Sequence, residues 1–302
     1  MKISDANMNI NTNNRHSKAG HFFKLLYTLR KLYRTNFLSI LGGTICVTWI
    51  LISLFAYLII PYNPLSQNLE HRFEPPNSMH WFGTDLFGRD VLSRVIVGSR
   101  ISILAGFLTV FISTVIGTLF GGMAGFVGGI FDDILMRISE MFSAFPTIIL
   151  AMTITAALGP SLFNTLIALT IVSWPKYARV MRSMVISIKE NEYIEAAKAL
   201  GASNIRIFLK EILPNSEGSI LILATLDIGN QILRFAGLSF LGLGSPPPTP
   251  EWGSMVAEGM ANFNYWWIIT FPGLAILTIA LGANFVGDGI RDYLDPKLRR
   301  EF

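Results

Sequence analysis

The chain has 302 residues, of which 51% are hydrophobic and only 15% charged, with a mean hydropathy of +0.49. A soluble domain carries nearer a quarter charged residues, so this is the composition of a membrane protein. The net charge of +4 leaves no nucleic-acid footprint, and the single cysteine, Cys46, in an apolar run, excludes an internal disulfide or a cysteine metal cluster.

Residues 1–20 are polar and Asn-rich without an apolar core, which excludes a signal peptide and predicts a disordered cytoplasmic tail. Residues 21–36 place Phe22, Leu25, Leu26, Leu29, Leu32 and Tyr33 on one helical face, with Lys24, Arg30, Lys31 and Arg34 able to reach phosphates. That pattern predicts an interfacial elbow helix lying in the membrane plane. Residues 37–60 are uncharged and long enough for one tilted span, closed by Pro61 and Pro64. A polar segment, 61–100, precedes a core of five further spans within 101–288.

The first of these is the uncharged run Ile101–Phe131, in which Gly117, Gly121, Gly125 and Gly129 recur every four residues as a ridge for close helix packing. From Gly125 onward the glycines are read instead as loosening the helix end. A third span covers 134–158. Gly159-Pro160 divides the uncharged stretch Met141–Pro175 and starts a fourth span, about Leu162 to Arg182, which Pro175 should bend. The fifth span covers about Ser219–Leu243, the Pro-rich loop 244–265 follows, and the sixth covers about Trp266–Val286 before a charged tail at 289–302.

Between the fourth and fifth spans, 190–215 (ENEYIEAAKALGASNIRIFLKEILPN) reads as two short amphipathic helices. Tyr193, Ala196, Ala197 and Leu200 share one face of the first. Gly201 should stop it in a left-handed conformation, and Ser203 or Asn204 should cap the second. That helix groups Ile205, Phe208, Leu209, Ile212 and Leu213, and Pro214 is expected to end it. A polar connector on the membrane surface would show the same pattern.

Six spans put both termini on one side, and the positive-inside rule selects it. Lys and Arg number seven in residues 1–36, seven in 176–210 and four in 291–300, against four in the two opposite loops. Both termini and the 190–215 loop are therefore expected in the cytoplasm. Glu140, Asp227 and Arg234 fall within or near spans, where ionisable groups face a water-filled path or an interhelical hydrogen bond. No GxxxxGK[ST] phosphate loop, HExxH or GxSxG motif is present, and His16, His21, His71 and His80 contain no i, i+4 pair. A stand-alone secondary transporter would instead show two halves with corresponding broken helices.

Glu195-Ala196-Ala197, Gly201 and Leu213-Pro214 together resemble the EAA loop of ABC-importer permeases, with Glu211 standing where the general pattern has an aliphatic residue. Three further segments resemble the C-type subunit of the dipeptide/oligopeptide/nickel permease family: HWFGTDLFGRDVLSRVIVGSRIS at 80–102, LSFLGLGSPPPTPEWG at 238–253 and FVGDGIRDYLDPK at 285–297. The resemblance implies an all-α polytopic membrane protein of the type I ABC importer permease fold. That fold has six transmembrane helices, an N-terminal interfacial helix and a cytoplasmic EAA coupling-helix pair.

It implies a heterodimer with a homologous B-type permease, two ATP-binding subunits that hold ATP and Mg, and an extracytoplasmic substrate-binding protein. The chain itself would bind no cofactor and hydrolyse nothing. Tyr193, Glu195, Ala196, Ala197, Leu200, Gly201, Ala202, Ile205 and Phe208 would then couple to the ATPase, and Glu140, Asp227 and Arg234 are candidates for the translocation path. Trp81, Asp85, Arg89, Asp90, Pro248 and Trp252 are candidates for binding-protein docking. Substrates of such systems are di- or oligopeptides, or alternatively nickel or a metal chelate, and the expected home is the inner membrane of a bacterium or archaeon.

Overall fold

The computed structural model describes residues 37–294, so the predicted tail 1–20, the interfacial helix 21–36 and the end of the C-terminal tail lie outside the described residues. Helix α1 (Phe37–Leu54) and the single turn α2 (Ala56–Ile59) lead into an irregular segment. The long α3 (Val91–Val127), α4 (Gly129–Ser143), α5 (Thr147–Leu158) and α6 (Leu162–Lys189) follow. The short α7 (Glu192–Ala199) and α8 (Asn204–Ile207) precede a π-helical turn, Phe208–Ile212. The chain closes with α9 (Leu213–Phe240), α10 (Trp252–Met260) and α11 (Trp266–Leu294). Among the described residues there is no strand, only an isolated bridge between Thr84 and Asp90.

Helix α3 starts ten residues before the expected boundary at Ile101. Asp90 caps it, its Oδ2 accepting from the Ser93 N–H at 2.8 Å and the Ser93 hydroxyl at 2.6 Å. Charge made residues 91–100 look like loop, but Arg94 is buried against partners from elsewhere in the chain. The predicted third span is broken into α4 and α5, which meet at 91°. Pro146 at the break supplies no N–H and disfavours helical geometry in the residue before it.

Among the described residues, four helices are long and apolar enough to cross a membrane: Phe37–Leu54, Val91–Val127, the continuous Asn204–Phe240 and Trp266–Tyr293. The bent α4–α5 pair makes a fifth if counted as one span. Helix α6 has the length, but its apolar run ends at Pro175, and Lys176, Arg179 and Arg182 follow.

Helices α3 and α6 run parallel and make the most extensive helix contact among the described residues, because the glycine ridge lets their backbones meet. A Cβ on Gly121 would lie 2.1 Å from the Ala178 carbonyl oxygen, and one on Gly117 would lie 2.5 Å from the Tyr177 Cβ. Gly125 belongs to this contact too, facing Arg182 and Val185, which corrects its reading as a frayed end. Gly129, at φ +62 with open space around it, does break the helix. Helix α9 lies antiparallel on α3, Gly106 against Ile232. Helix α11 packs on α9 through Gly229 and Gly287, and α1 packs on α11 through Gly42 and Gly282.

Candidate functional site

Within 190–215 the first helix, its stop and the cap of the second form where the sequence predicts, and each has a local cause. Helix α7 closes in a Schellman motif: the Gly201 N–H donates to the Lys198 carbonyl at 2.9 Å and the Ala202 N–H to Ala197 at 3.0 Å. Gly201 sits at φ +79, where a side chain would be strained. The Ser203 hydroxyl then accepts from the Arg206 N–H at 3.4 Å and opens α8.

Two expectations fail here. Pro214 does not stop the second helix, which continues to Phe240. The preceding π-turn widens the backbone, with the Leu213 N–H reaching back to the Phe208 carbonyl, so that the ring is accommodated at the first turn of α9. The buried face also differs from the expected one. Ile194, Ile207 and Ile212 are fully buried with Met181, Val185, Ile188 and Ile220, and Ala197, Ala202, Phe208 and Leu213 flank them. Tyr193 (44% exposed), Leu200 (89%), Ile205 (73%) and Leu209 point outward, as do Glu195 and Ala196. The pair is anchored by one apolar row and presents another.

A polar cluster lies between α6 and α9. The Asp227 carboxylate is fully buried and accepts from Lys176 Nζ (3.0 Å), the Tyr177 hydroxyl (2.9 Å) and Gln231 Nε2 (3.1 Å). Gln231 also donates to the Ser173 hydroxyl at 2.9 Å. Arg234, two turns along α9, is half-buried. Glu140 is not part of this cluster. It is exposed on α4 beside a groove of about 370 Å³ with Asp133, Arg137, Arg179 and Arg182. There Arg182 forks onto Asp132, with contacts of 2.5 and 2.6 Å.

At the end of the bundle opposite α7, residues 61–90 and 241–265 form a platform with its own buried ion network. Asp85 accepts from the backbone N–H groups of Phe87 (2.8 Å) and Arg89 (3.0 Å) and from Arg89 Nε (2.6 Å), and it pairs with Arg94 at 3.4 Å. Glu258 of α10 closes the network, meeting Arg89 at 2.9 Å and Arg94 at 3.4 Å. The Trp252 indole donates to the Val95 carbonyl at 2.8 Å and packs edge-on to Trp49. Glu251 caps α10 by accepting from the Gly253 and Ser254 N–H groups, both at 2.9 Å.

Residues 117–300 match the family model for the inner membrane component of binding-protein-dependent transport systems. The chain belongs to that family. It is 44% identical over 270 residues to the dipeptide transport system permease protein DppC of Alkalihalophilus pseudofirmus, covering 89% of each chain. Against the probable D,D-dipeptide transport system permease protein DdpC of Escherichia coli K12 it is 45% identical over 262 residues, 86% of this chain and 88% of that one. Against the glutathione transport system permease protein GsiD of Escherichia coli O157:H7 the identity is 41% over 269 residues, 88% and 89% of the two chains.

In this permease the candidate docking residues divide by exposure. Trp81 (69% exposed) and Pro248 stand where a partner can touch them. Asp85, Arg89, Asp90 and Trp252 are buried and spent on bonds within the chain, which corrects their reading as docking contacts: they hold the platform on α3. The residues missed were Lys176, Tyr177, Gln231 and Glu258. A lysine inside a predicted span is itself a signal, since it needs an acid, and Asp227 was the acid available. For Glu258 no local signal exists, because its arginines lie 169 and 164 positions away.

Proposed function

We propose that this permease subunit forms half of the translocation path of an ATP-driven peptide importer and receives the nucleotide cycle through the helix pair at 192–213. The observation that carries the reading is the outward apolar row Tyr193, Leu200, Ile205 and Leu209 on an elbow whose other row is locked into the bundle. Exposed apolar side chains beside Glu195 and Lys198 suit a protein partner. On this reading the partners are a companion permease, two ATP-binding subunits holding ATP and Mg, and a substrate-binding protein that meets the Trp81 and Pro248 surface. This chain contributes neither an ATPase site nor a cofactor.

Helix α6 serves as a sixth span, shielded by α3 and α9 so that its cationic half is spared lipid. With six spans, the 18 Lys and Arg of residues 1–36, 176–210 and 291–300 support a cytoplasmic side for both termini and the elbow. Peptides are the substrate class best supported, since the relatives are named for dipeptides, D,D-dipeptides and glutathione. These differ in stereochemistry and linkage but share a free terminal carboxylate. Asp227 and Arg234 remain the path candidates, and Glu140 guards its inner mouth.

The test is uptake by proteoliposomes holding the full set of subunits. Accumulation of labelled dipeptides should require ATP, the binding protein and this chain together. Accumulation driven by a proton or sodium gradient with this chain alone would replace the proposal with a secondary transporter.

A further inference from the structure

Helix α9 carries a polar stripe where it crosses the bundle. Asp227, Asn230, Gln231 and Arg234 fall within about 100° of arc. Asp227 is neutralised by Lys176, whose side chain is still 39% exposed. Arg234, about 10 Å further along the helix axis, has no hydrogen bond or ion pair among the described residues and is only half-buried. Beside them the Gln231 Oε1 is buried without a partner. Together with Lys176 of α6, the stripe makes a cluster of two cations and one anion, a surplus of one positive charge at membrane depth. A half-exposed cation there faces water or an anion, because hydrocarbon solvates it poorly.

The geometry points to Arg234 and Lys176 as successive stations for the terminal carboxylate of a peptide in transit. This rests on the peptide reading above and names the substrate group the path handles. Arg234 offers a planar fork that fits a carboxylate with two parallel N–H donors. Lys176 lies deeper and is held in place by Asp227, Tyr177 and Gln231 through the shared carboxylate. A carboxylate arriving at Lys176 competes with Asp227 for a cation that already has a partner, so the second station binds weakly and releases. A path that both admits and releases its cargo needs this inequality.

The experiment uses the complete importer in liposomes and compares uptake of a pool of labelled dipeptides with the same pool as C-terminal amides. The binding protein contributes its own preference for acid over amide, equal in every variant, so the readout is the change in that preference. Arg234→Gln should lower it about tenfold, the scale of one charge-assisted hydrogen-bond pair, and Arg234→Lys should restore most of it. Should Arg234→Gln fail to assemble, the charge-neutral pair Lys176→Gln with Asp227→Asn tests the inner station and should also lower the preference. An unchanged preference overturns the proposal whatever the absolute rates, including the case in which both pools slow together because Arg234 pairs with an acid of the companion permease. Uptake of neither pool by the wild type overturns the peptide reading itself.

Discussion

Asp227 is a fully buried charge among the membrane helices, and its burial is tolerable because three donors converge on it. Glu251 solves a similar problem on the platform. Burial pushes its carboxyl above the usual range, while the Gly253 and Ser254 N–H groups pull the other way. With the folded-state value raised, the folded protein binds this proton more tightly than the unfolded chain. Its contribution to stability is full below the unfolded value and is lost as pH rises through the folded one. Thermal stability of the purified complex should therefore fall as pH rises above the ordinary glutamate range, and Glu251→Gln should flatten that slope; an identical slope in the variant would remove Glu251 as its source. Glu251→Ala, which deletes the cap, should cost about 1–2 kcal/mol, seen as a lower melting temperature. On the α3 ridge the closest approach is at Gly121: Gly121→Val drives a side chain into the Ala178 backbone and should cost about 3 kcal/mol or more, with loss of monodisperse protein as the readout.

At the scale of the element, the α7–α8 elbow shows what a single sequence can and cannot disclose. The Gly201 stop and the Ser203 cap were legible because each is decided within four residues. The buried row was not: Tyr193, Ala196 and Leu200 form as good an apolar stripe as any, and only contact with α6 and α9 selects Ile194, Ile207 and Ile212 instead. Pro214 misled for a related reason, since the π-turn that admits it depends on Phe208 and Ile212 being held by the bundle. Gly201→Pro removes both the positive φ and the N–H that donates to Lys198. Substrate-stimulated ATP hydrolysis in the assembled complex should drop about fivefold or more, with membrane insertion intact; unchanged stimulation would show that the angle of the elbow is immaterial.

For the whole molecule, the apolar runs disclosed most of the membrane helices and the glycine spacing disclosed a ridge for close packing, but not that α6 is the helix that packs on it. The periodic signal lost the early start of α3 and the 91° break between α4 and α5, because charges and a proline mask geometry that tertiary pairing decides. Arg89, Arg94 and Glu258 join across more than half the chain, and their ion network ties α10 to α3. The platform and the elbow therefore sit at opposite ends of continuous helices: α3 and α9 run the length of the bundle between them. A rigid link of this kind can carry displacement from one end to the other. It gives the account its central claim, that the exposed row of the elbow docks on an ATP-binding subunit. The most direct measurement is site-specific cross-linking of Leu200→Cys, in a Cys46→Ser background, within the assembled importer. A cross-link to the ATP-binding subunit, with a yield that changes on ATP binding, is the predicted result; a Leu200→Cys side chain that reacts only with reagents on the outer face of the membrane, or joins no neighbour in an active complex, would contradict it.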